Sequence, residues 1–236
     1  MSKSTAWIRT SFAAVLAALS FAAVADEQSV RDNLMKNTGL RAEAVTPSPI
    51  PGLWEVFIQD RLFYIDDSAE HVIGGPIIET KTQRNLTDER VRQFAKDNWS
   101  KWPLEDAVKQ VFGNGRRQVV VFSDANCGFC RSMESVFAQV GDVTVYTFIV
   151  PMIRGERNNR EIVCSKNPSE AWHAWMGQGV APAPAPVGCD ASVLERNLRL
   201  SSRFNITGAP TFFFPSGYRH TGAVTAVEFN RLLDQQ

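Results

Sequence analysis

Two cysteines, Cys127 and Cys130, stand three apart in the stretch "SDANCGFCRSM" from Ser123 to Met133. Three kinds of chemistry use such a pair: a local structural disulfide, half of a metal site, or reversible exchange with other thiols. The apolar run "QVVVFSD" precedes it, and "RSMESVFAQV" follows, with Met133, Val136, Phe137 and Val140 at helical spacing. That pattern reads as a buried strand running into a helix. Cys127 then stands at the first turn, where unpaired N–H groups and the positive end of the helix stabilise an anion. The thiolate is the nucleophile in exchange, and this position favours it. Cys130, one turn further in, is expected to be the less exposed and less acidic thiol. That suits attack on a mixed disulfide formed at Cys127. Gly128 lets a partner backbone come close, and Phe129 offers an apolar face to an unfolded chain.

A metal site needs four ligands. Cys164 and Cys189 do not form a second C-x-x-C, and His71, His173 and His220 stand in no ligand spacing to Cys127. Neither a metal nor another cofactor is expected, and the histidines read as surface or half-buried residues. Cys164 and Cys189 lie 25 apart around the stiff, proline-rich "GVAPAPAPVG". A disulfide closing that ring would contribute about 3–4 kcal/mol, which reads as a permanent staple. A second redox pair is the alternative, although no helix start activates either cysteine. Trp172, Trp175 and Met176 in "SEAWHAWMGQG" read as a helix packing inward. "TGAPTFFF" sets Ala209 and Pro210 just before a strand, where an ordinary turn proline and a cis bond both fit. A cis bond folded over Cys127 would leave backbone groups free to pair with an extended substrate.

The elements that position these residues follow an N-terminal leader. Lys3 and Arg9 precede an apolar run from Phe12 to Ala25, which ends in Ala23-Val24-Ala25 and meets Asp26-Glu27. The run is short of the ~20 apolar residues of a membrane span, and it ends in a small-x-small cleavage pattern. A signal peptide over residues 1–25 is expected, on the ordinary secretory route, because no twin-arginine pair is present. Export would place the four cysteines where disulfides persist. Of the 236 residues, 211 would remain, with 23 basic against 25 acidic side chains. No charge block stands out, so neither nucleic acid nor an anionic membrane is expected as a partner.

Residues 26–84 read as a small α+β domain. A helix over residues 28–39 points Leu34 and Met35 inward and stops at Gly39. "TPSPIPG" breaks the chain; "LWEVFIQ" and "RLFYID" are strands joined at Asp60; "HVIGGPII" is a third strand with an exposed edge. So small a unit is marginal alone, and it either pairs with a second copy or packs on the larger domain. Residues 85–102, "NLTDERVRQFAKDNWSKW", read as a polar linker helix capped by Thr87. Residues 103–236 open with "PLEDAVKQVF", read as a helix with Leu104, Val108 and Val111 inward. Strand, thiol-bearing helix and the strand "VTVYTFIVP" then form a βαβ unit, which makes the sheet partly parallel. "ASVLERNLRLSSRFNI" is helical, "PTFFFP" and "GYRHTG" are strands, and a capping box at Thr225 to Glu228 opens the last helix.

An exported chain carrying "IPGLWEVFIQDRLFYIDDSAEHVIGGPII", a linker helix, "VVVFSDANCGFC", a second cysteine pair and "ITGAPTFFF" resembles the periplasmic thiol:disulfide isomerases of the DsbC and DsbG family. The resemblance covers nearly the whole mature chain. It implies a periplasmic, V-shaped homodimer. Cystatin-like N-terminal dimerisation domains and linker helices would carry α/β C-terminal domains of thioredoxin fold with a helical insertion. Cys127 would be the attacking thiol and Cys130 the resolving one, flanking Gly128 and Phe129. Cys164–Cys189 would be the structural bridge, and Pro210, after Ala209, the cis-proline. Misfolded exported proteins with wrong disulfides would be the substrates, and a membrane thiol reductase of the DsbD type would keep the pair reduced. Ala209 departs from the family's common threonine, and the proline-rich loop is longer than the family pattern. Two other readings use the same residues: a net oxidant of the DsbA type, and a DsbG-like chaperone or binding module with secondary redox activity.

Overall fold

The structure is a computed structural model that describes residues 26–153 and 155–235; the leader expected over residues 1–25 lies outside the described residues. The first helix, α1 (Glu27–Thr38), is capped by the Asp26 carboxylate, which accepts from the Ser29 N–H at 2.7 Å. Gly39 closes it with a φ of 71°, a left-handed turn that glycine adopts without a Cβ penalty. Val30 and Leu34 face the core, but Met35, expected inward, is exposed: one residue past Leu34, the helix has turned it off the buried stripe.

A four-stranded antiparallel sheet follows in the order β1 (Ala44–Pro47), β2 (Trp54–Ile58), β3 (Arg61–Ile65) and β4 (Val72–Ile73). The first of these starts before the segment "TPSPIPG" read as a break and runs two residues into it, to Pro47. Both faces of β2 are covered. Trp54 and Val56 pack with Val30 and Leu34 of α1, while Phe57 faces the other way. The expected third strand is split by Gly74-Gly75-Pro76. Only Val72–Ile73 pairs with β3, while β5 (Ile78–Glu79) pairs with β6 (Arg84–Asn85). Proline cannot donate to a ladder, so pairing stops there.

Helix α2 (Leu86–Asp97) is capped by Asn85, not Thr87; the Asn85 Oδ1 accepts from the Asp88 N–H at 3.0 Å. Thr87 instead ties the helix to the sheet. Its Oγ1 lies 2.6 Å from the Tyr64 hydroxyl and accepts the Ile77 N–H at 2.8 Å. Phe94 of α2 stacks on Phe57 with ring centroids 3.9 Å apart. Short 3-10 turns at Trp99–Lys101 and Leu104–Asp106 lead onward. Between them Trp102 packs against Phe122, Phe148 and Phe213 of the second sheet and against Phe204, which caps the helix over Ser192–Arg203.

That sheet has five strands in the order β11-β10-β8-β9-β7. They are β7 (Val108–Phe112), β8 (Arg117–Ser123), β9 (Val143–Ile149), β10 (Thr211–Phe213) and β11 (Arg219–Thr221). Thus "VKQVF" is a strand, and the expected helix over "PLEDAVKQVF" is reduced to the 3-10 turn before it. Val108 and Gln110 are buried and Lys109 and Val111 exposed, a period of two, and the strand pairs antiparallel with β9. Valine's branched Cβ favours the strand once a partner edge is available. Strands β8 and β9 pair in parallel across α3 (Gly128–Val140). Alternation along β8 sends Val119 and Val121 to the face covered by α3 and α7 (Ala226–Leu233). Val120 and Phe122 go to the face covered by Trp102 and α6 (Ser192–Arg203). The helical insertion between β9 and α6 is α4 (Arg157–Val163) and α5 (Pro168–Gln178).

The first unit touches the second through the Arg203 guanidinium, which donates to Glu43 Oε2 at 2.8 Å. Asp60, at the β2–β3 turn with φ 59°, lines a cavity of about 360 Å³ between them, with Phe94, Trp102 and Phe204. Burial pushes the Asp60 carboxyl up from 3.8 to about 6; Arg219 and Arg203 pull it down and Glu43 adds to the rise. The folded chain therefore holds this proton more tightly than the unfolded chain. Its stabilising effect is complete below pH about 4 and is lost as the pH rises through about 6. Asp60→Asn tolerates the left-handed turn. It is expected to raise stability at pH 7 by up to about 3 kcal/mol and to leave pH 4 nearly unchanged. Urea melts of both proteins at the two pH values measure this, and an equal effect at both would refute it.

Candidate active site

Strand β8 ends at Ser123, and the chain turns through Asp124, Ala125 and Asn126 into α3, whose N-cap is Cys127. A buried brace fixes that turn. The Asp124 carboxylate accepts from the Asn126 N–H at 2.9 Å, the Ile153 N–H at 2.5 Å and Asn159 Nδ2 at 2.9 Å. Asn159 of α4 in turn accepts the Ala125 N–H at 2.8 Å. Trp175 of α5 donates its indole N–H to the Ala125 carbonyl at 2.6 Å. The helical insertion thus grips the turn from two sides.

Cys127 Sγ accepts the Cys130 N–H at 3.2 Å, one of the unpaired donors that open α3. The same thiol donates to the Ala209 carbonyl at 3.5 Å, and the Ala209–Pro210 peptide bond is cis. Cys127 and Cys130 are each 3% exposed and not bonded to each other, so the expected contrast in exposure is absent residue by residue. The contrast lies in access. A cleft of about 260 Å³ reaches Cys127 but not Cys130, and its walls are Ala125, Asn126, Gly128, Arg131 and Trp175. Phe129 stands out beside it, 72% exposed. Nothing lies within 4 Å of where a Gly128 side chain would begin, so the approach to the pair is open there. Burial pushes the Cys130 thiol far up, helped by the neighbouring Cys127 and opposed by Ser123 and the Asp124 backbone. Cys130 therefore holds its proton until a partner takes it.

Residues 104–236 match the family model of the thioredoxin-like domain, and residues 21–88 that of the disulfide bond isomerase protein N-terminal domain. A probable thiol:disulfide interchange protein DsbC of Bordetella parapertussis is 36% identical over 197 residues, which are 83% of this chain and 69% of that one. The chain belongs to the DsbC family. It is a thiol:disulfide interchange protein of the protein disulfide isomerase type. The DsbC of Escherichia coli K12 is 23% identical over 230 residues, covering 94% of this chain and 93% of its own. A disulfide interchange protein from Neisseria gonorrhoeae is 34% identical over 56% of this chain and 99% of that one, with a TM-score of 0.49.

Other residues fall away from the DsbC-type thiol pair. Cys164 and Cys189 are disulfide-bonded, Cα atoms 6.0 Å apart, joining the end of α4 to the segment before α6. His71 pairs with Asp66 at 2.8 Å, and His220 stacks on Phe212. His173 lies 4.0 Å from Glu134, one turn beyond Cys130 on α3. Glu134 was legible as a carboxyl on an apolar stripe, and sequence reasoning passed over it. It is buried, accepting from Gln110 Nε2 at 2.9 Å and the Trp172 indole at 3.0 Å. Burial raises its carboxyl, and those donors hold it partly down. Trp175, read as a core residue, is half-buried and forms a cleft wall. Arg131 and the Asp124–Asn159 brace had no sequence signal beyond their residue types.

Proposed function

We propose that this chain rearranges incorrect disulfides of exported proteins in the periplasm, with Cys127 as the attacking thiol and Cys130 as the resolving one. One observation carries the reading. Cys127 Sγ takes a helix-opening N–H at 3.2 Å at the end of a cleft, while its neighbour is buried and keeps its proton. The Cys127 thiolate attacks one sulfur of a substrate disulfide. A Cys127–substrate bond forms, and the other substrate sulfur leaves as a thiolate. In isomerisation that thiolate attacks elsewhere in the substrate, and a substrate thiolate later displaces Cys127, with no net transfer of electrons. In reduction, Cys130 gives up its proton and attacks Cys127 Sγ. The substrate leaves as a thiol, and the pair, now a disulfide, has supplied two electrons. A membrane thiol reductase of the DsbD type would restore it. Ala209 and Pro210 line the path of the incoming chain, and Cys164–Cys189 acts as a structural bridge. Thiol trapping from intact cells should find Cys127 and Cys130 reduced at rest. A pair found fully oxidised would assign the chain to net oxidation instead.

The working form is a homodimer joined through the N-terminal units. Edge strand β4 leaves Val72 54% and Ile73 50% exposed, an apolar edge with free backbone groups. Val72→Lys together with Ile73→Lys should halve the mass seen by light scattering. An unchanged mass would place the contact elsewhere.

A further inference from the structure

The first turns of a helix present positive partial charge, which makes them a poor place for a cation. Arg131 nevertheless follows Cys130 directly, on the exposed side of α3. Among the described residues it joins no ion pair and no side-chain hydrogen bond. Its guanidinium instead stacks on Trp175, whose ring centroid lies 4.3 Å from the guanidinium carbon. Stacking on an indole face fixes the guanidinium plane and leaves its N–H donors free at the edge. Trp175 is itself held by its bond to the Ala125 carbonyl, so the platform is rigid.

We propose that Arg131, held over Trp175, makes the Cys127 cleft select disulfides flanked by a carboxylate. The inference rests on the exchange reading of Cys127. Apart from the reacting Cys127 thiolate, only Arg131 among the cleft's lining residues carries a charge. Asn126, the other polar wall, is already engaged: its Oδ1 accepts from Asn158 Nδ2 at 2.7 Å, and its Nδ2 donates to the Gly155 carbonyl at 3.3 Å. An anionic group beside the attacked sulfur therefore meets one free, pre-aimed fork of donors, the geometry that binds carboxylates bidentately. A cationic group meets repulsion. During exchange the Cys127 thiolate forms a bond to the nearer substrate sulfur as the substrate S–S bond breaks. The farther sulfur departs as a thiolate, and Arg131 takes no part in the electron transfer. Its effect falls on the encounter and on the orientation of the disulfide.

Three small aliphatic disulfides of like size test this: dithiodipropionate, hydroxyethyl disulfide and cystamine, which are anionic, neutral and cationic. Each rate with the reduced protein is divided by its rate with 2-mercaptoethanol, a thiol that carries no other charged group. The normalised anionic-to-cationic ratio should be about tenfold for the natural chain, a difference of 1.4 kcal/mol, and should shrink as salt is raised. Arg131→Gln should bring the ratio close to one, and Arg131→Lys, which keeps the charge but not the stack, to between the two. Arg84→Gln, which removes a charge from the first unit where Arg84 pairs with Glu89, should leave the ratio at about ten. A ratio near one in the natural chain, or one unmoved by Arg131→Gln, overturns the selection. Failure of the neutral disulfide to modify Cys127 at all would instead overturn the exchange reading beneath it.

Discussion

Replacing Cys127 with alanine is expected to lower the reactivation of scrambled ribonuclease by at least about a thousandfold, the scale on which loss of a nucleophile is felt. No other thiol can take over. Cys130 lies outside the cleft, and burial holds its proton on. The two remaining cysteines are bonded to each other. Cys130→Ala should behave differently. Attack by Cys127 survives but resolution within the pair is lost, so substrate adducts that run as mixed disulfides on non-reducing gels should accumulate. Suppression of aggregation offers a separate readout. If Cys127→Ala still reactivates scrambled substrate at the natural rate, the thiol pair is not the catalyst, and a binding module becomes the better description.

The second large effect is on stability. Cys164→Ala combined with Cys189→Ala opens a ring of 25 residues, and ring closure on that scale stabilises by about 3–4 kcal/mol through restriction of the unfolded chain. The loss should appear as a lower denaturant midpoint. The bridge anchors the end of α4, and Asn159 of that helix bonds both Asp124 and Ala125. Exchange should therefore fall too, but by much less than in Cys127→Ala. Normal stability with lost exchange would contradict a structural bridge and make this a second redox pair.

Much of the second unit could be read from sequence because its signals are local. The run from Val119 to Phe122 is continuous and apolar, α3 repeats at helical spacing, and Thr225 caps α7 through the Glu228 N–H. Where signals were short, two periods fitted equally well. Val108 and Val111 suit a helix by spacing, yet the segment is an edge strand because β9 offers it a partner. Thr87 looked like a cap by type, but Asn85 reaches the helix donors first and Thr87 is taken by Tyr64. The cleft was the least legible part. Its walls come from the start of α3 and from α5, and no spacing along the chain records that Trp175 meets Arg131. Ala209 reaches Cys127 across a sequence distance of 82, which is legible only through family resemblance.

The anchoring of Trp102 has a mechanical consequence. Its ring is wedged among Phe122, Phe148, Phe204 and Phe213, and Phe122 belongs to β8, the strand that leads into the thiol-bearing helix. Before Trp102, Thr87 in the first turn of α2 and Phe94 near its last turn clamp that helix to the first sheet along its length. The 12 residues of α2 thus behave as a screw-threaded rod of about 18 Å rather than a tether. Adding one residue would swing the sulfur-bearing end by about 100° about the rod's axis. The bearing on which this protein presents its thiols is set by the length of that rod as firmly as by the chemistry at its tip.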